Sequence, residues 1–583
     1  MGWRINMRYP CRHLDYFSQL CREFINTPTL RNGRIITVHH MHNQFYLLPL
    51  LFLLLSQPTL GRNYVLHPQG QTDRTAEVMT IIDRMRRGDT LILEQGEYHF
   101  CDTAARPMNL YPSNNTGGLK RVVFPIVGKR GITIDGRGST LVFYGEAFPF
   151  ALLQSRQVCL KDFTITTRFP SAVQFCITEK RTDGFRVRLG DDTDFRTDEE
   201  GNIRFLTGGS DVCTTDGRIS VHATSRLSIC YLMTPQSAGD KNEFPAGFMG
   251  IRGQAVDAHT MDCLYYGDPH PKSILSPFNV GEKVVLNLAE KRRQIACFMD
   301  ESEDVRVSGV KVRRFGGMAF VAQRSGNISY DHLDVWPSAE EDVSVTADIF
   351  QCINCYGHVS ITNTRAGHSL DDVINVHGNY LQVEQAQGHT LQLRACHLQH
   401  ERFFPYRPGD SLEIVDPHTR RLLAKARVKR MIPSREDGFL CQVEVRESVD
   451  TIPAGSLVEN ITLCPDVSIR GCHLSHFPHI RLSGRGLMKV EDNDISYCYK
   501  ALVGNDLAEY WYEAGRLSTL IIRNNRFHSC TALGGNCVMS FGVSGWGADA
   551  PKIHGRVVME GNTYEDCPLR YQMEGVRELD DRD

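Results

Sequence analysis

The chain has 583 residues, with 65 basic against 68 acidic side chains and no long run of either sign. That balance argues against nucleic acid or an anionic membrane as the main partner. The length exceeds what one simple core holds, so it implies either several domains or a repeat architecture, in which each unit packs only on its neighbours.

The first distinctive segment is Phe45 to Leu55, an unbroken apolar run of 11 residues. It is short for a bilayer span and matches the apolar region of a secretory signal, with SQPTLG (Ser56 to Gly61) as a weak cleavage region. Met41 stands just before the run. We therefore read residues 1–61 as an over-called start followed by a signal peptide, and expect a secreted or periplasmic protein with no membrane span in the mature chain. Two of the nineteen cysteines, Cys11 and Cys21, precede the run. The remaining odd number shows no paired pattern and suits core filling, and the chain's size excludes a small disulfide scaffold. No metal site or cofactor is expected.

Residues Ala76 to Arg86 read as a short amphipathic helix, with Val78, Ile81, Ile82 and Met85 on one face and Thr75 as its N-cap. The pattern that follows, GDTLILEQGEYHF (Gly88 to Phe100), is turn, strand, turn, strand. A helix before such a pattern suits the cap of a solenoid, whose end coil is otherwise unpaired. Short strands ending at Gly or Asn then recur. They include GITIDG (Gly131 to Gly136), DVRVSGVKV (Asp304 to Val312), GHVSI (Gly357 to Ile361), DVSIRG (Asp466 to Gly471), LIIRNN (Leu520 to Asn525) and VVMEGN (Val557 to Asn562). Steps of roughly 20–30 residues with the same corner chemistry predict an all-β, right-handed parallel β-helix. Asn tolerates the left-handed backbone that tight corners need, and Asp135 and Asp162 read as turn residues. Residues 170–295 and 381–462 break the rhythm and read as two inserted β-barrel-like modules. The β-helix then occupies 62–169, 296–380, which holds the candidate acids, and 463–583. The second insertion follows His377 and Gly378 directly and is expected to wall the site. The acidic end, Glu578 to Asp583, is expected to fray.

The chemistry concentrates in SVTADIF (Ser344 to Phe350) and LDDVINVHG (Leu370 to Gly378). Asp348 and Asp371 are 23 residues apart, about one turn of a coil. Stacked strands sit roughly 4.8 Å apart, so Asp348, Asp371 and Asp372 would crowd one face. Crowded carboxylates cannot all ionise cheaply, which holds one protonated for acid catalysis. Consecutive residues of a flat strand point to opposite faces, so Asp371 and Asp372 can share a site only across a corner or bulge. Asn375 and His377 lie close by; His377 can equally be a structural histidine. Arg324 is either a clamp for sugar hydroxyls or one rung of a charge ladder. Glu513, beside Trp511 and Tyr512, suits a sugar-stacking wall.

These two segments resemble the core of glycoside hydrolase family 110, bacterial exo-acting α-1,3-galactosidases. AQRS (Ala322 to Ser325, with Gln323 and Arg324) and WYEAG (Trp511 to Gly515) also resemble family segments, although Ala514 more commonly reads Ser there. The likeness runs from about residue 65 through most of the chain. It implies a right-handed β-helix carrying β-barrel insertions and hydrolysis with inversion of terminal α-1,3-linked galactose, as in branched blood-group B glycans or linear galactose-α-1,3-galactose. By position Asp371 would be the general acid, with Asp348 and Asp372 holding the attacking water as general base. Gln323, Arg324, Asn375, His377, Trp511 and Glu513 would contact substrate. Ile349, Phe350, Gln351 and Leu370 depart from the family pattern. Two alternatives stay open: a polygalacturonase-like hydrolase, and a non-catalytic carbohydrate-binding solenoid.

Overall fold

The computed structural model describes residues 61–583 apart from 169–171, 191–192, 200, 202, 208–209, 214–218, 224–228, 233–249, 267–279, 282, 288–291, 340, 544–545, 547–548 and 550. The apolar run at 45–55 and the early start lie outside the described residues.

One coil shows the plan. Strands Phe350–Ile353, Tyr356–Thr362 and Arg365–Gly367 follow one another around three faces. Each pairs in parallel with its counterpart one turn on: Phe350 with Ile374, Val359 with Val467, and Ala366 with Leu474. The same three parallel ladders continue to the last coil, where Val576–Arg582 pairs with His554–Glu560 and Tyr571–Gln572 with Met539–Ser540. This is a parallel β-helix. The corner between the second and third faces is one left-handed residue per coil, at Gly309, His332, Asn363, Gly471, Asp492, Asn524 and Gly561. Each L residue there accepts a conformation that glycine takes without cost.

The interior is filled by stacking like on like. Phe124 and Phe150 stack with ring centres 4.3 Å apart, and Phe150 stacks on Phe163 at 5.3 Å. The side-chain amides of Asn493, Asn525 and Asn562 form a buried ladder, each donating to the next at 2.9–3.0 Å and to a backbone carbonyl. The ladder ends on Asp583, whose carboxylate accepts from the Asn562 amide at 3.0 Å. The acidic end is therefore the final rung rather than a frayed tail. Arg556 pairs with Glu578 and Asp580 there, offsetting the charge that made the segment look soluble. Buried cysteines such as Cys352, Cys355, Cys472 and Cys498 serve as small core residues with free thiols.

Helix Thr75–Arg84 covers the first coils and buries Val78 and Ile82. Its start corrects the expected cap. Thr75 is the first helical residue, and the Asp73 carboxylate accepts from its N–H at 3.0 Å and its hydroxyl at 2.6 Å.

Both insertions are antiparallel β structure. The second closes: strand Ile374–Gln387 leaves the coil and pairs with Thr390–Arg394 and Leu457–Asn460, and the ring continues through Leu440–Val445, Leu422–Pro433 and Ser411–Val415. It is a six-stranded barrel around Leu391, Leu393, Leu412, Ile414 and Val443. In the first insertion the described residues form an open seven-stranded sheet, with a separate three-stranded sheet beside it. That insertion leaves after Cys159–Thr167 and returns at Ile295–Asp300, so it enters at the corner between the third face and the first face of the next coil. Asp348 and the Asp371–Asp372 pair occupy the same corner on later coils.

Candidate active site

Asp371 and Asp372 lie in the turn between Arg365–Gly367 and Ile374–Gln387. The turn is held locally. Ser369 Oγ donates to the Asp371 carbonyl at 2.7 Å, and the Asp372 N–H donates to Asp371 Oδ1 at 3.0 Å. This corner frees the two carboxylates from the strict alternation of a strand. The backbone N–H of Ile349 donates to the Asp372 carbonyl at 3.0 Å, and that of Phe350 to Val373. Asp348 and Asp372 are thus neighbours on adjacent coils.

The three acids have different surroundings. Asp348 is 2% exposed. The only hydrogen bond to its carboxyl among the described residues comes from Asn375 Nδ2, 3.4 Å from Oδ2, and Oδ1 has no partner. Burial, then the Asp371 charge, push its carboxyl well above the usual carboxylate range; Arg292 opposes them, and Asp372 and Glu513 add to the rise. Asp371 keeps 36% of its side chain open to solvent and pairs with Arg292. Its pKa is raised by its enclosure, with Arg292 opposing and Asp372 reinforcing. Asp372 is buried too, which alone would raise its pKa. However, His479 Nδ1 lies 2.9 Å from Oδ1 and Arg481 Nε 3.4 Å from Oδ2, and together they hold it below the ordinary value. The ionised form is thus favoured at Asp372 and disfavoured at Asp348 and Asp371.

A fourth carboxylate joins them. Glu513 sits in the two-residue strand Glu513–Ala514, paired with Gly378–Asn379 where the chain leaves the coil for the barrel. Its Oε1 accepts from Asn114 Nδ2 at 2.9 Å and lies 3.4 Å from Asn375 Nδ2; its Oε2 is 3.3 Å from Arg481 Nε. One Asn375 amide nitrogen therefore touches Asp348 and Glu513, and one guanidinium spans Asp372 and Glu513. His377 is fully buried. Its Nδ1 is 2.8 Å from the Gly378 carbonyl, which can only accept, so that nitrogen carries the proton; Nε2 faces Glu513 Oε1 at 3.6 Å. His377 packs behind Glu513, its Nε2 without a hydrogen-bond partner among the described residues.

Trp511 forms part of the rim. It packs on His397 of the barrel module at 4.4 Å, and the Arg292 guanidinium lies over it at 5.3 Å. Burial holds the His397 imidazole down at about 4, so this wall is neutral at ordinary pH. The barrel also supplies His400, 2.8 Å from Asn114 Oδ1.

Two expected substrate contacts are directed elsewhere. Arg324 makes a two-point pair with Asp300, at 2.9 and 2.5 Å, and lies over Phe403, which is the charge-ladder reading. Gln323 accepts from the Ser113 N–H at 2.9 Å and donates to the Tyr111 carbonyl at 3.3 Å. It anchors the loop that carries Asn114. Sequence reading missed Asn114, Arg292, His479 and Arg481. The signal for the first was Ser113, Asn114 and Asn115, three consecutive polar residues that the fold buries almost completely. Arg292 sits where the first insertion returns, and no local pattern marks it.

No protein-family model matches the chain. It is similar to the alpha-1,3-galactosidase A of Shewanella woodyi, 25% identical over 456 residues that span 76% of this chain and 71% of that one. It is likewise similar to the alpha-1,3-galactosidase B of Phocaeicola vulgatus, 26% identical over 501 residues, 80% of this chain and 77% of the other. Among solved structures, the polygalacturonase of Erwinia carotovora ssp. carotovora covers 90% of this chain and 98% of its own, at 6% identity and a TM-score of 0.35.

Proposed function

We propose that this chain is an exo-acting glycoside hydrolase of family 110 that removes terminal α-1,3-linked galactose from glycans with inversion at the anomeric carbon. The observation that carries the reading is the unequal surroundings of three neighbouring aspartates at one corner of the coil: Asp348 buried with an unpartnered oxygen, Asp371 the most open, and Asp372 held by His479 and Arg481. Inverting hydrolysis needs a protonated carboxyl and an ionised one flanking the bond. Asp371 suits the acid: it is the most open of the three, and its pKa is raised. It gives its proton to the glycosidic oxygen as the bond from that oxygen to the sugar's anomeric carbon breaks. Asp372 suits the base: it is held ionised and takes the proton of the water that attacks the opposite face of that carbon. Asp348 beside it, whose burial favours the neutral carboxyl, orients this water.

The two arginines here pair with site carboxylates, Arg292 with Asp371 and Arg481 with Asp372 and Glu513. That favours a neutral sugar over a uronate, whose own carboxylate would seek a cation. The relatives' shared name supports galactose as the sugar released. With a signal peptide before residue 62, the enzyme would act in the periplasm or outside the cell.

The test is product analysis on paired branched and linear α-1,3-galactosyl oligosaccharides, following the anomer first released by NMR. Release of β-galactose from either, with Asp371→Asn retaining glycan binding but losing turnover, supports the reading. An unchanged rate in Asp371→Asn, or release of galacturonate from polygalacturonate instead, removes it.

A further inference from the structure

Away from the aspartates, a cavity of about 460 Å³ lies in the seam between the barrel module and the C-terminal coils. Six cations line it: Arg420, Arg421, Arg485, Arg516, Lys552 and Arg577. Glu413 is the one acid in its wall. Some of this charge is spent. Arg420 pairs with the buried Asp506 at 2.7 Å, and Arg485 takes Glu413 and Glu459 at 2.5 and 2.8 Å. The rest is not. Arg421 and Lys552 have no acidic partner among the described residues. Arg577 donates to the His554 carbonyl at 3.2 Å and has no acidic partner among the described residues. Arg516 reaches Glu413 at a weak 3.9 Å and gives one N–H to the Arg420 carbonyl, while its buried Nε has no partner.

A solvated basic face would splay its cations apart. Here they line one half-open cavity: Arg421, Lys552 and Arg577 are exposed at its mouth, while the buried Arg516 Nε is left unmatched, which costs free energy unless an acceptor fills it. Guanidinium groups present donors in a fork that matches oxyanions. We propose that this seam is a second binding site, for a tetrahedral oxyanion of the sulfate or phosphate class. It adjoins the aspartate site in sequence: Arg485 follows Arg481 by four residues, a reach of at most ~14 Å, and Arg516 follows Glu513 by three. An anionic substituent on a bound glycan is therefore one source of the ligand, and the free ion is the other.

The experiment is direct binding to the full chain, by calorimetry, of sodium sulfate, sodium phosphate and galactose 6-sulfate, against sodium chloride at equal ionic strength. Saturable binding of sulfate or phosphate above the chloride control is expected. It should weaken at least tenfold in Arg421→Ser/Lys552→Ser, whose side chains touch none of the aspartates. Galactose 6-sulfate binding at least tenfold tighter than sulfate would identify a glycan as the source, and equal affinity would identify the free ion. Identical sulfate and chloride titrations, or undiminished sulfate binding in the folded double variant, would overturn the proposal. Both readouts are independent of galactoside turnover.

Discussion

His479 Nδ1 lies 2.9 Å from Asp372 Oδ1, joining the ionised acid of one coil to the next coil. With Arg481 it overcomes the burial that would otherwise raise the Asp372 pKa. Because the folded pKa is depressed, this pairing stabilises the fold above about pH 4 and is lost as pH falls through the folded value.

Replacing His479 by Gln keeps a donor but removes the imidazole that helps to lower the Asp372 pKa. The Asp372 pKa should rise, so the acidic limb of the pH–rate profile moves to higher pH. A mis-tuned general base should cost roughly 10- to 100-fold in kcat at neutral pH. A profile with its acidic limb unmoved would show that Asp372 is not the base.

Asp348 offers the opposite case. Its raised pKa makes the ionised form a burden on the fold, absent below about pH 4 and growing as pH rises toward the folded value. Asp348→Asn keeps the shape and drops the charge. We expect a melting temperature ~1–3 °C higher at pH 7, little change at pH 4, and turnover reduced by about 100-fold or more. Thermal melts at both pH values, set beside single-turnover rates, decide it. Destabilisation at pH 7 would mean that Asp348 is ionised and compensated.

The same contrast explains what the sequence could and could not reveal. Coil corners were legible because left-handed residues such as Asn363, Asn524 and Gly561 recur at one place with strand patterns between them. Asp348 and Asp372 could be paired because one coil length separates them. Arg292, Asn114 and His479 could not be placed, since their positions depend on where long excursions of the chain return. Gln323 and Arg324 misled for a related reason. A conspicuous motif beside the site fixes their segment, but their partners Ser113 and Asp300 sit on other coils. The acidic end looked loose because charge suggests solvent, whereas Arg556 and the asparagine ladder recruit it as a rung.

Arg292 pairs with Asp371 and lies over Trp511. Its charge lowers the Asp371 pKa against the enclosure that raises it. In Arg292→Gln the Asp371 pKa should climb further, and the basic limb of the kcat/KM profile, which reports the protonated acid, should move to higher pH. Trp511 also loses its cationic cover, so KM should rise. A basic limb that stays put while KM rises would leave Arg292 a role in the rim alone.

The last prediction concerns the frame. Asn525 is 1% exposed. Its Oδ1 accepts from the Asn493 N–H at 3.0 Å and the Asn493 amide at 2.9 Å, and its own amide reaches the Val490 carbonyl at 2.8 Å. Asn525→Ala removes the side chain but leaves those buried partners in place, each unmatched group costing about 1–3 kcal/mol. A total of ~3 kcal/mol or more is therefore expected, far above the few tenths typical of surface changes. Coil contacts are with neighbours only, so the damage should spread along the stack. Hydrogen exchange should rise first in Leu487–Glu491, Thr519–Arg523 and His554–Glu560, with the barrel around Leu391 and Val443 protected as before. Uniform loss of protection across the barrel would show that the solenoid and its insertion unfold as one unit.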